Sequence, residues 1–144
     1  MKARPPFKAT PPLSMEVQDG NIQISWPTFV RFGSWYWSIW QGWMQPTPES
    51  GRYRVEIEYA LWDTPKARVL YPKLVDKPPH VYPSSGTLCL YHEDDWYWHG
   101  RRLLATSFFP WTANWLFFYE LWLDTGVWHA PEVPHGEADK KEAA

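Results

Sequence analysis

Tyr71-Pro72-Lys73-Leu74-Val75-Asp76-Lys77-Pro78-Pro79-His80-Val81-Tyr82-Pro83-Ser84-Ser85-Gly86-Thr87-Leu88-Cys89-Leu90-Tyr91 divides the chain into two parts of different character. Pro72, Pro78, Pro79 and Pro83 remove backbone donors and fix φ too often for a regular element, so residues 71–86 read as an ordered loop. The loop ends in the brief apolar run Thr87-Leu88-Cys89-Leu90-Tyr91, which carries the single cysteine, and then meets the polar cluster His92-Glu93-Asp94-Asp95.

Upstream the period is two. Tyr53, Val55, Ile57 and Tyr59 alternate with Arg52, Arg54, Glu56 and Glu58, the pattern of a half-buried strand. In Ser34 to Met44, Trp35, Trp37 and Ile39 lie on one parity and Tyr36 and Trp40 on the other, which predicts a strand apolar on both faces. Gln45-Pro46-Thr47-Pro48 and Ser50-Gly51 separate the two, so an antiparallel hairpin is expected. A third short strand, Ala67 to Leu70, follows the Asp63-Thr64-Pro65 turn. Earlier, Leu13 and Val17 fit one face of a short helix over Leu13 to Ser25, which Asp19-Gly20 interrupts like a turn.

Downstream the period changes. Leu103, Leu104 and Phe108 share a face of a helix beginning at Arg101, and Pro110 opens a second helix at its favoured first position. Trp111, Trp115, Phe118 or Tyr119, and Trp122 recur at helical spacing, and Thr125-Gly126 provides a stop. A Trp stripe of this kind is more often core than ligand pocket. The order of a strand meander, a Pro-rich loop bearing the Cys, and then helices is that of an α+β domain. Residues 1–12 hold four Pro and three basic residues and read as an extended arm, 13–131 as one domain, and 132–144 as a polar tail.

At 144 residues a single core is expected. Fourteen Lys and Arg against sixteen Asp and Glu give a net charge of −2 with no basic stripe, which argues against nucleic-acid binding even though 19% of the residues are aromatic. The most apolar stretch, Phe108 to Leu123, is too short for a bilayer and includes Pro110, Asn114 and Glu120, so no membrane association is expected. A lone Cys forms no internal disulfide and, with no signal peptide at the N-terminus, favours a cytoplasmic location.

Cys89 is the only soft nucleophile, and His80, His92 and His99 could orient it or favour its thiolate. A small buried hydrophobe is the plain alternative. Cys89, His92, His99 and His80 could also be zinc ligands, but their spacing matches no common finger or ribbon, and no metal is expected. Glu93, Asp94 and Asp95 lack the spacing of a calcium loop and read as a solvated turn. No Gly-rich phosphate loop, G-x-S-x-G or H-E-x-x-H is present, and no cofactor is expected.

Taken together, Tyr71-Pro72, Pro78-Pro79, His80, Gly86-x-Leu88-Cys89-Leu90, Trp96 or Trp98, and the helices from Arg101 resemble the ubiquitin-conjugating enzymes. A narrower resemblance is to their short bacterial relatives in cyclic-oligonucleotide-based anti-phage (CBASS) defence operons. It is carried by Pro46-Thr47-Pro48, Tyr53-x-Val55-x-Ile57-x-Tyr59, Pro72-Lys73-Leu74, Pro79-His80-x-Tyr82, Leu88-Cys89-Leu90-Tyr91, Pro110-Trp111-Thr112, Trp115-Leu116, Tyr119-Glu120-x-Trp122 and Thr125-Gly126-x-Trp128. Where eukaryotic members have His-Pro-Asn, this chain has His80-Val81-Tyr82, so oxyanion stabilisation requires backbone N–H groups or another donor.

The resemblance implies a conjugating-enzyme-like fold and an acyltransferase whose catalytic Cys89 forms a thioester with a partner's C-terminus and passes the acyl group to an amine. His80 would hold the loop around Cys89, and Tyr82, His92 and Asp94 would support the site. The implied partner is the cyclic-nucleotide synthase of the operon, through its C-terminal tail, with a lysine-bearing protein as acceptor. Two other readings are a non-catalytic adaptor that binds the synthase and a thiol regulator that forms a mixed disulfide with it.

Overall fold

The alternation around Tyr53 produces a strand whose two faces differ as the sequence requires. In the computed structural model, which describes residues 10–130, β3 (Tyr53–Ala60) buries Tyr53, Val55, Ile57 and Tyr59 and half-exposes the residues between them. It pairs antiparallel with β2 (Trp37–Met44) in the expected hairpin, Trp40 opposite Ile57 and Met44 opposite Tyr53. β4 (Lys66–Tyr71) pairs with its other edge, and β1 (Val30–Gly33) adds a fourth strand beside β2, giving the sheet order β1-β2-β3-β4. The result is an α+β arrangement of a four-stranded antiparallel meander with helices on one face.

Strand β2 carries apolar residues on both faces as expected but is buried on only one. Ser38, Trp40, Gly42 and Met44 are buried, whereas Trp37 and Trp43 on the opposite parity are more than a third exposed. The reason is what lies behind each face. Gly42 sits so close to Phe29 that a Cβ there would stand 2.7 Å from the Phe29 ring, so the inner face is filled by the residue just before β1. The outer face carries a polar ladder instead: Gln41 Nε2 donates to Glu56 (2.9 Å), Trp37 Nε1 to Glu58 (2.9 Å), and Arg68 pairs with Glu56 at 3.2 Å and Glu58 at 2.8 Å.

The Trp37 indole N–H, and next the Arg68 guanidinium, hold the Glu58 carboxyl below the usual carboxylate range. The folded protein therefore releases this proton more readily than the unfolded chain. The contribution is complete above the ordinary glutamate pKa of about 4.3 and is lost as the pH falls through the lower folded value. Urea unfolding from neutral pH down to about pH 3 is expected to show a shallower loss of stability in Glu58→Gln than in the wild type. Parallel curves would mean that other carboxylates carry the acid sensitivity.

Helix α1 (Met15–Ser25) forms without the break expected at Asp19-Gly20. Ser14 caps it, its hydroxyl accepting from Val17 N at 3.1 Å, and Asp19 accepts from the buried Trp40 indole at 2.9 Å instead of turning the chain. The inward face is Met15, Gln18 and Ile22, not the expected Leu13 and Val17; Val17 is exposed.

The helix expected from Arg101 is a single 3-10 turn, Leu104–Thr106. Its backbone is bonded elsewhere: Arg102 O and Leu104 N to the Gln18 side chain, and Ala105 O to the Trp26 indole. Helix α2 (Phe108–Thr125) starts two residues before Pro110, which is tolerated because first-turn N–H groups have no intrahelical partner. Gly126, at φ 77°, closes it in the left-handed conformation that the Thr125-Gly126 stop predicts.

The last residues of the expected arm are pinned. Arg101 donates to Pro11 O at 3.2 Å, and Leu13 N, just beyond the arm, donates to Gly100 O at 2.8 Å. Residues 1–9 of the arm and the tail expected from Glu132 lie outside the described residues. Among the described residues no helix is long and apolar enough to cross a membrane.

Candidate functional site

The proline-rich loop leaves β4 at Tyr71 and returns to the sheet at Leu88, whose N–H donates to Ala67 O at 2.9 Å. Between these points it makes one small antiparallel ladder. Val81 bridges Leu88, Tyr82 N donates to Thr87 O (2.9 Å), and Cys89 N donates to His80 O (2.9 Å). Gly86 supplies the positive φ of 72° at the turn, with its N–H on Tyr82 O at 2.8 Å. Cys89 is thus fixed by its own backbone opposite His80 and is partly exposed, neither sealed in the core nor on a free loop.

Helix α2 braces this ladder with aromatic side chains. The buried Trp115 donates its indole N–H to His80 O at 3.1 Å, so that carbonyl accepts from both Trp115 and Cys89. Trp115 stacks on Tyr119 at 5.2 Å and 13°, and the Tyr119 hydroxyl accepts from Val75 N at 2.9 Å, tying down the first half of the loop. Trp128, in the chain that follows α2, packs on the His80 ring at 4.9 Å and on Trp115 at 5.6 Å. His80 has a φ of 56°, a conformation that costs a non-glycine residue about 1–2 kcal/mol and is held here by its carbonyl bonds and ring contact.

The far side of Cys89 is secured in the same way. Tyr91 meets Trp96 at 4.7 Å and Phe108 at 5.9 Å, and Trp96 meets Trp111 at 4.8 Å beneath the Arg102 guanidinium. The Trp stripe therefore packs the core and also sets where the thiol stands.

Tyr82 reaches Cys89. It lies near enough to feel the sulfur: burial, followed by the charge of Cys89, pushes the Tyr82 ionisation up to about 12. Glu93 adds negative charge near both Tyr82 and Tyr91. His92 turns to its own segment: its Nδ1 accepts from Asp94 N at 3.2 Å and lies 3.6 Å from Asp94 Oδ2 and 3.9 Å from Asp95 Oδ2. Asp94 itself is largely exposed.

His99 occupies a separate cleft with Thr10, Pro12, Trp62 and Trp98, and burial, with the charges of Arg102 and Arg101, lowers its pKa. Among the described residues no group of three or more His, Cys, Asp or Glu could hold a metal ion, so the Cys89, His92, His99 and His80 set does not converge as zinc ligands.

Sequence reasoning singled out Cys89, His80 and Tyr82, and the structure brings these three together. It missed the bracing by Trp115, Tyr119 and Trp128. The helical spacing of Trp115 and Tyr119 marked an inward face but not what that face touches. A family model described as Type II CBASS E2 protein matches residues 18–136. No curated protein matches the chain.

Proposed function

Because the chain belongs to the Type II CBASS E2 protein family, we propose that it has a ubiquitin-conjugating-enzyme-like fold and transfers an acyl group through Cys89. The acyl donor is the C-terminus of a partner protein, the cyclic-nucleotide synthase of the defence operon, activated as an acyl adenylate or a thioester. The Cys89 thiolate forms the new C–S bond while the bond to the leaving group breaks, the leaving group taking the electron pair. An amine of a lysine-bearing protein then accepts the acyl group.

The observation that carries this reading is the setting of Cys89. The single cysteine stands partly exposed on a ladder whose His80 carbonyl is gripped by Trp115, with Tyr82 a diagonal neighbour across the ladder. A cysteine serving only as core filler needs no such rigid, accessible mount. The geometry supports His80 as a positioning residue, since its carbonyl orders Cys89 N and its ring lies on Trp128. His92 and Asp94 act in this reading only by shaping the turn after Tyr91.

Co-expression with the synthase followed by intact mass measurement tests the reading. The expected result is an adduct with the mass of the synthase less one water. It is cleaved by hydroxylamine, stabilised as an oxyester in Cys89→Ser and lost in Cys89→Ala. A complex that forms equally with Cys89→Ala and contains no adduct would overturn covalent transfer in favour of the adaptor. An adduct released by reductant but resistant to hydroxylamine would instead identify a mixed disulfide.

A further inference from the structure

We propose, building on the acyl-transfer reading, that the Tyr82 hydroxyl is the hydrogen-bond donor that stabilises the oxyanion formed at the Cys89-bound acyl group. The backbone donors nearest the thiol are already in use. The nucleophile's own N–H commonly serves this purpose, but Cys89 N donates to His80 O at 2.9 Å, and the preceding amide, Leu88 N, donates to Ala67 O at 2.9 Å. Both bonds anchor the thiol, and breaking either would release it. The chain's two Asn residues are on helices: Asn21 Nδ2 donates to Val17 O, and Asn114 is exposed on α2.

Tyr82 is brought to the sulfur by strand pairing. With Val81 opposite Leu88, residues 80, 82, 87 and 89 share one face of the ladder, and Tyr82 and Cys89 are diagonal neighbours on it. Such neighbours lie about 7–8 Å apart at the backbone, a gap an aromatic side chain spans. The register therefore places the phenol beside the Cys89 side chain, close enough for the sulfur to raise its ionisation. It keeps its proton through the neutral range and so remains a donor there.

In the transfer step the amine lone pair attacks the thioester carbonyl carbon, and the C=O π pair moves to oxygen. That oxygen is two bonds from Sγ, within a small swing of the phenol, which donates to it without giving up its proton. Collapse restores C=O and breaks the C–S bond. The pair leaves on Sγ, where Tyr82 donates to the thiolate, and the amine proton passes to solvent.

The test uses the full chain acetylated on Cys89 with p-nitrophenyl acetate, with discharge to free lysine followed by intact mass. Tyr82 is 46% exposed, so Tyr82→Phe is expected to fold with an unchanged melting temperature. Its discharge is expected to slow by about 10- to 100-fold. This is less than the 10²–10³ lost from a dry oxyanion hole, because half of the phenol faces water. Discharge at the wild-type rate in Tyr82→Phe would overturn the role of Tyr82 and leave acyl transfer standing. Wild-type discharge no faster than that of S-acetyl-N-acetylcysteine would overturn the acyl-transfer reading and this inference with it.

Discussion

Replacing Trp115 with alanine is expected to lower the unfolding free energy by about 3–5 kcal/mol, the range for truncating a buried Trp. Trp115 is only 4% exposed, so nearly the whole indole leaves a void. Its neighbours cannot close on that void, because Tyr119 is held through its hydroxyl to Val75 N and the His80 carbonyl is fixed by Cys89 N. Loss of the stacked ring also removes support from Trp128 and hence from the His80 ring.

The same substitution is expected to reach the thiol. Cys89 N–H is protected by its bond to His80 O, and without Trp115 that carbonyl loses its second donor. Amide exchange at Cys89 is therefore expected to accelerate more than exchange in β3. Trp115→Phe separates the two effects, since it retains most of the bulk and removes the N–H. It should cost about 0.5–1.5 kcal/mol for the hydrogen bond, plus a smaller packing loss. Denaturant unfolding that puts Trp115→Ala within 1 kcal/mol of the wild type would refute the bracing role.

The contrast between local and distant determinants explains what could be read in the sequence. The β2–β3 hairpin and the irregular course of the chain after Tyr71 follow from patterns a few residues long and are found, whereas of the face expected on α2 Trp115 and Tyr119 are buried but Trp111 and Trp122 only half-buried. β1 was not anticipated, because Val30-Arg31-Phe32-Gly33 is a short edge strand whose residues are exposed or half-exposed and show no buried alternation. The helix expected at Arg101 fails because its backbone groups are claimed by Gln18 and Trp26, some eighty residues away. At the site, the Pro-rich approach to Cys89 was legible from composition. The Tyr82–Cys89 contact depends on a two-strand register, and the grip of Trp115 on His80 depends on how α2 docks. Chain proximity misled for His99, which points to the cleft lined by Trp62.

Gln18 shows how a polar residue can decide a helix face, and its replacement by leucine is expected to cost about 2–4 kcal/mol despite the similar volume. Helical periodicity counts apolar residues, so it passed over the one residue of α1 that enters the protein fully and bonds twice. In Gln18→Leu the buried Leu104 N–H and the partly buried Arg102 carbonyl both lose their partner, and no apolar contact replaces it. Gln18→Glu distinguishes this account from a simple packing defect. A protonated carboxyl can accept from Leu104 N and donate to Arg102 O as the amide does, whereas the carboxylate cannot donate and is buried as a charge. Burial then raises the folded-state pKa of the introduced Glu above its unfolded value. Its stabilising protonation is complete below the unfolded pKa and lost as the pH rises through the folded one. Urea unfolding of Gln18→Glu should approach the wild type near pH 4 and fall behind it at pH 7. A deficit that stays constant across that range would mean that Gln18 acts by filling space and not by pinning the segment that leads into α2.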